Sequence, residues 1–172
     1  FDRMSLPEAQ KVCEQVFART LDGHPMIANN SIWRQFPRLW NERWSVGNCV
    51  LMGDALRTAH FSIGSGTRLA MEDAFALEKA IRTHGKDVRA ALVDYEAVRK
   101  PISLKIWNAA NISSDWYENF PEHMKLEPLD FAHAYIMRSG RMDMERLEAS
   151  SPEFVSRYRG ERGQLSAQTA TN

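Results

Sequence analysis

A four-residue apolar run, Cys49-Val50-Leu51-Met52, stops at Gly53-Asp54, and after a spacer of nine residues Gly64-Ser65-Gly66-Thr67 opens a stretch of good helix formers, Leu69 to Arg82. Strand, loop and helix start in that order leave few folds open. A strand that is apolar at every position is covered on both faces, as in an α/β sheet, and ligands of such sheets bind beyond the carboxyl ends of the strands. The glycines mark places where the backbone must come close to something. Free N–H groups at the helix start, with the positive end of the helix dipole, suit a phosphate or a developing anion.

Taken in order, the rest of the chain predicts mostly helix. Ser5-Leu6-Pro7-Glu8 is a capping-box pattern, and Val12, Val16 and Phe17 recur at helical spacing to about Leu21. Arg34, Arg38 and Arg43 interleave with Trp33, Trp40 and Trp44, which suits either a nucleotide-binding surface or, more commonly, packed rings with solvated arginine heads. Trp44-Ser45-Val46 and Cys49-Val50-Leu51-Met52 flank Gly47-Asn48, a favoured two-residue hairpin loop. After the loop, Ala70, Ala74, Leu77 and Ile81 form a helical stripe, and Gly85 reads as the C-cap. Asp87 reads as the N-cap of a helix that is kinked or broken at Pro101 and reaches about Asn119, where Pro121 stops it. Leu129 to Met137 predicts a short helix, and another is expected around Ser151-Pro152-Glu153-Phe154. No hydrophobic period runs from Gly160 to Asn172, and disorder is expected there.

Composition excludes more than it selects. With 22 basic and 22 acidic side chains among 172 residues, no field of one sign draws the chain to nucleic acid or to an anionic membrane. No apolar stretch approaches the ~20 residues that span a bilayer. Cys13 and Cys49 form no CxxC pair and are expected as two buried thiols of a cytoplasmic protein. His24, His60, His84, His123 and His133 lack metal-ligand spacing, so no metal site is expected. Neither a G-x-S-x-G elbow nor a Walker loop is present, so a hydrolase using Ser62 or Ser65 has no placed base.

Leu51-Met52-Gly53-Asp54-Ala55, followed by Gly64-Ser65-Gly66-Thr67-Arg68-Leu69-Ala70-Met71-Glu72-Asp73-Ala74, resembles the second FAD-binding motif of the flavoprotein aromatic hydroxylases, the class A monooxygenases. The variant carrying Arg57-Thr58-Ala59-His60-Phe61-Ser62 is most similar to the aryl-CoA hydroxylases of that group. The resemblance covers Met26 to about Arg146 and implies the C-terminal portion of an FAD/NAD(P)-binding monooxygenase fold, α/β but mostly helical, with short strands followed by long C-terminal helices. Residues 1–46 would then end a substrate-domain region, 47–85 form the FAD-binding strand-loop-helix, 86–140 the C-terminal helices, and 141–172 a polar, partly disordered tail.

By the same resemblance, the cofactor-binding residues are Gly53, Asp54, Gly64, Ser65, Gly66, Thr67 and Arg68. Asp54 would accept hydrogen bonds from the ribityl hydroxyls, and the Gly64 to Gly66 turn would face the pyrimidine edge of the flavin ring. The implied activity is hydroxylation of an aromatic acyl-CoA with FAD, NADH or NADPH, and O2. Where many members carry a proline, this chain has His60, and Arg57 and Arg68 also depart from the pattern, implying a more polar wall beside the flavin. His60 is therefore a candidate for hydrogen bonding to or deprotonating a phenol or amine, or else for holding the loop. The family's first dinucleotide fingerprint, which binds the ADP half of FAD, is not found here. Expected partners are thus an aromatic or aryl-CoA substrate and an N-terminal FAD-binding half, without which the chain would bind FAD weakly and be inactive. The alternative is a non-catalytic helical module that keeps its fold by self-association.

Overall fold

The computed structural model describes residues 3–29 and 35–169, with side chains to 161. Two compact units emerge, residues 1–37 and 38–172. In the first, α1 (Leu6–Val16) starts with the expected capping box: the Glu8 carboxylate accepts from the Ser5 N–H at 2.8 Å and from its hydroxyl at 2.7 Å. A short α2 (Ala18–Leu21) follows. The segment beyond returns onto α1, where Gln10 Nε2 donates to the Met26 carbonyl and Glu14 accepts from the Met26 N–H. Trp33 and Arg34 lie outside the described residues.

The second unit opens with an antiparallel hairpin, β1 (Ser45–Val46) and β2 (Cys49–Val50), whose register pairs Ser45 with Val50 across Gly47-Asn48. The loop is as expected, but the strand cover is not. Cys49, Leu51 and Met52 are exposed, and no further strand flanks β2 among the described residues. An apolar run identifies a strand that some surface is built to cover, without placing that surface in the same 172 residues. Cys13 is half-buried and Cys49 exposed, so the expected burial of the thiols is also corrected.

Beyond β2, 3-10 turns at Gly53–Ala55 and Phe61–Ile63 lead to α3 (Gly66–His84) and the long α4 (Val88–Glu118). Asp87 caps α4 by accepting from the Ala90 N–H at 3.0 Å. Pro101 lies inside this helix and does not divide it. Pro121 lies in the first turn of a further short helix, α5 (Phe120–His123), and α6 (Pro128–Met137) folds back so that Phe131 and Tyr135 meet Trp116. The tail is helical: α7 (Met144–Ser150) and α8 (Pro152–Thr169) pin Leu147, Val155 and Tyr158 in buried positions. The expectation of disorder beyond Gly160 fails as far as Thr169. Once nucleated by that packing, a helix propagates through good formers such as Glu161, Gln164 and Ala167 without a hydrophobic period.

The core under the loop consists of Trp44, Leu56, Ala80, Ala91 and Tyr95, with Trp40 and Leu77 packed against it. Trp44 is fully buried, and its ring lies 5.6 Å from that of Tyr95 and 6.1 Å from that of Trp40. Arg38 is paired with Asp115. Among the described residues, Trp40 and Trp44 thus follow the packing alternative, with Arg38 paired at the surface. On α3 the buried residues are Leu69, Asp73 and Ala80, while Ala74 and Ile81 of the expected stripe are exposed. The helix is rotated by about one residue from its apolar stripe because Asp73 takes a place in the core.

Candidate functional site

Asp73 is the anchor of the site. Its carboxylate is fully buried, and it accepts from Arg57 Nη1 at 2.7 Å, from Arg99 Nε at 3.1 Å and from the Gly53 N–H at 3.1 Å. Arg99 also reaches Glu72 at 2.9 Å. A buried carboxylate is tolerated only when paired and hydrogen-bonded, and here the two guanidiniums come from the loop and from α4. The arrangement fixes Gly53, whose φ of +60° lies in the left-handed region and whose carbonyl accepts from Arg57 Nη1 at 3.3 Å. Tyr95 Oη donates to the Leu51 carbonyl, fastening the chain just before the turn; burial and the nearby Asp73 charge push its phenol well above the ordinary tyrosine range.

The far end of the loop is laced to the segment before the hairpin. Trp40 bridges Arg57, the Asn41 N–H donates to the Leu56 carbonyl, and Asn41 Nδ2 donates to the carbonyls of Ala55 and Leu56. Held from both sides, the loop opens a shallow groove of about 520 Å³ lined by Asp54, Ala59, Phe61, Gly64, Gly66, Thr67 and Ala70. Four of the seven sequence-expected cofactor residues therefore share one surface: Asp54, Gly64, Gly66 and Thr67. Asp54 is exposed there, and its carboxylate has no partner among the described residues. The start of α3 faces the same groove without a side-chain cap, because the Ser65 hydroxyl donates to the Ile63 carbonyl instead.

The other three expected residues stand behind or beside this surface. Gly53 supports it through Asp73, and Ser65 is buried under it. Arg68 is exposed and paired at 2.9 Å with Glu72, one turn along its own helix, so its guanidinium takes no part in the lining. Arg57, expected on a polar pocket wall, is likewise turned inward to Asp73. His60 begins the second 3-10 turn: its Nδ1 accepts from the Ser62 N–H at 3.2 Å and its ring stacks on Phe61 at 4.4 Å. Burial and the nearby Arg38 charge hold its pKa below the usual histidine value, keeping Nδ1 an acceptor.

The Arg57–Asp73–Arg99 cluster went unread in the sequence, where Asp73 is a dipole-complementing acid. The available signal was its position: Leu69, Asp73, Ala76 and Ala80 share one face of α3, and an acid among such residues needs buried cations.

A family model described as an FAD binding domain matches residues 9–110. The chain belongs to this FAD-binding domain family. It is 37% identical over 159 residues to a salicyloyl-CoA 5-hydroxylase of Streptomyces sp., covering 91% of this chain and 30% of the relative. To a 3-hydroxy-4-methyl-anthranilyl-[aryl-carrier protein] 5-monooxygenase of Streptosporangium sibiricum it is 41% identical over 111 residues, 64% of this chain and 31% of the relative. A protodeoxyviolaceinate monooxygenase of Chromobacterium violaceum is 35% identical over 136 residues, 78% of this chain and 36% of the relative. The chain thus spans about a third of the length of these relatives and is similar to FAD-dependent aromatic hydroxylases. Among the described residues no helix is long and apolar enough to cross a membrane.

Proposed function

We propose that these residues form the flavin-ring half of an FAD-dependent monooxygenase that hydroxylates an aromatic acyl thioester at the expense of NADH or NADPH and O2. The observation that carries this reading is the shared groove, where an unpartnered carboxylate at Asp54 faces an uncapped helix start at Gly66-Thr67. The donor and acceptor set fits the cofactor. Asp54, acceptor-only when ionised, suits the ribityl hydroxyls. The first-turn N–H groups and dipole of α3 suit the edge of the ring that gains negative charge on reduction. A Cβ at Gly64 or Gly66 would meet no atom within 4 Å, so the missing side chains leave open room for a planar ligand. When bound, FAD supplies the activation of O2 with electrons taken from NAD(P)H.

The protein's own part is positional. Asp73 and the two arginines hold Gly53 so that Asp54 stands at the groove rim, and Phe61 and Ala59 form an apolar wall that keeps water from the reacting ring. His60 enters as the residue that shapes this wall through its bond to Ser62, rather than as a base. The ADP half of FAD falls to a segment outside these residues, and the open apolar side of β2 and α3 is the surface such a segment would cover.

The test is hydroxylation in the FAD-loaded protein complete with that segment. An aryl-CoA should gain one oxygen only when FAD, NAD(P)H and O2 are all present. Asp54→Ala should weaken flavin binding about 10- to 100-fold, the scale of hydrogen bonds to a charged group. Product formed without FAD, or flavin binding unaffected by Asp54→Ala, would overturn the reading.

A further inference from the structure

A second, larger groove of about 860 Å³ lies between α4 and the turn that joins α6 to α7. Its volume is in the range of small-molecule sites. Four cations line it, Lys105, Arg138, Arg141 and Arg146, and no acidic side chain does. Asp143, which caps α7, pairs with Arg146 at 3.5 Å. Arg146 Nη1 also donates to the Arg141 carbonyl. Lys105 and Arg141 are exposed, and neither side chain has an ion-pair or hydrogen-bond partner among the described residues. The Ile102, Ile106, Ile112 and Ile136 side chains supply much of its apolar lining. The groove thus offers several positive charges over an aliphatic floor, a chemistry that suits a multiply phosphorylated ligand with an apolar arm.

Its position relative to the flavin groove gives this charge a use. The 3-10 turn Phe61–Ile63 separates the two: Phe61 and Gly64 line the Asp54 groove, and Ile63 lines the basic one. Arg138 ties that turn to α6, donating to the Ser62 carbonyl at 3.3 Å and to the Tyr135 carbonyl at 2.8 Å, with its guanidinium 4.0 Å from the Tyr135 ring centroid. Its Nε is buried and without a hydrogen-bond partner. One turn thus carries residues of both grooves, and a ligand whose two ends differ in chemistry would cross it.

We propose that the basic groove holds the phosphates of coenzyme A while the aryl end of the thioester reaches the flavin groove over the Phe61–Ile63 turn. This assignment rests on the monooxygenase reading and adds the residues that select the carrier. A carrier-protein arm brings a single phosphodiester charge, whereas CoA brings a diphosphate and a 3′-phosphate. Lys105 and Arg141, unpaired beside Arg138 and the Asp143-paired Arg146, favour the more highly charged of the two.

Calorimetric titration of the protein with free CoA, dephospho-CoA, 4′-phosphopantetheine and pantetheine tests it without turnover. CoA should bind most tightly, dephospho-CoA more weakly and pantetheine not measurably, with affinity falling as salt rises. Arg141→Glu and Lys105→Glu should each weaken CoA about ten-fold, and the neutralising Lys105→Gln less, the scale of one exposed charge acting on a nearby phosphate. Circular dichroism melting of each variant guards against misfolding. No CoA binding, or equal binding by wild type and the Lys105→Glu/Arg141→Glu double variant, would overturn the proposal. So would phosphopantetheine binding as tightly as CoA, which would point to a carrier-borne arm. The monooxygenase reading fails separately: charge-dependent CoA binding without flavin-dependent hydroxylation would remove that reading and leave the groove's ligand in place.

Discussion

Asp73 concentrates more of this structure in one side chain than any residue lining the Asp54 groove. Removing its carboxylate leaves Arg57 and Arg99 as buried cations and frees the Gly53 N–H, so Asp73→Ala is expected to cost about 3–5 kcal/mol of folding stability, checked by urea denaturation. The exposed Arg68–Glu72 pair is a useful contrast, because removing Arg68 should cost no more than about 1 kcal/mol. His60 makes a prediction with a sign. Its folded-state pKa is lowered, so the unfolded chain binds the proton more readily; stability is fully present above the unfolded value near 6.5 and is lost as pH falls from there towards the folded value. Asparagine keeps an acceptor for the Ser62 N–H without titrating in this range. Melting curves of His60→Asn and wild type should nearly coincide at pH 7.5, and the wild type should fall below the variant at pH 5.5. Coincidence at both values would show that the ring is indifferent to its charge.

At the scale of elements, what was legible in the sequence is what is decided locally. The capping box at Ser5, the Gly47-Asn48 hairpin and the Asp87 cap are each fixed by a few neighbouring residues, and each stands where expected. Asp87→Ala should therefore destabilise the second unit by about 1 kcal/mol, read from its thermal melt. The rotation of α3 was not legible, because its apolar stripe points one way while the Arg57–Asp73–Arg99 cluster turns it another, and that cluster joins residues 16 and 26 positions apart. The continuity of α4 through Pro101 has a similar cause. Loss of one N–H, the usual partner of the Ala97 carbonyl, is outweighed by packing on both sides, where Tyr95, Arg99, Ser103 and Ile106 are all buried. Of the site residues, those that line the groove were visible as a motif. The destinations of the Arg57, Arg68 and His60 side chains depended on partners that periodicity does not reveal.

For the whole molecule, one apolar face has no cover among the described residues. Leu51, Met52, Ala74 and Ile81 are exposed together, and Met52, Ala74, Leu77 and Ile81 line a shallow groove of about 400 Å³. Such a surface is normally an interface. A purified chain of these residues should therefore associate with itself, with a sedimentation coefficient that rises with concentration, and Met52→Lys/Ile81→Lys should return it towards monomer while keeping its helical circular dichroism. A wild-type chain that stays monomeric at all concentrations would show this face to be tolerated in water.

Flavin fluorescence titration tests most directly whether the groove between Asp54 and the start of α3 seats the ring half of FAD. FAD and riboflavin should bind the chain weakly, saturably and with similar affinity, since only the ribityl and ring portions are held here. Gly66→Val should abolish both, because a Cβ there meets no atom of the protein within 4 Å and the residue lines the groove, with little change in melting temperature. Equal flavin binding by wild type and Gly66→Val, or no saturable binding of either flavin to the wild type, would contradict the assignment.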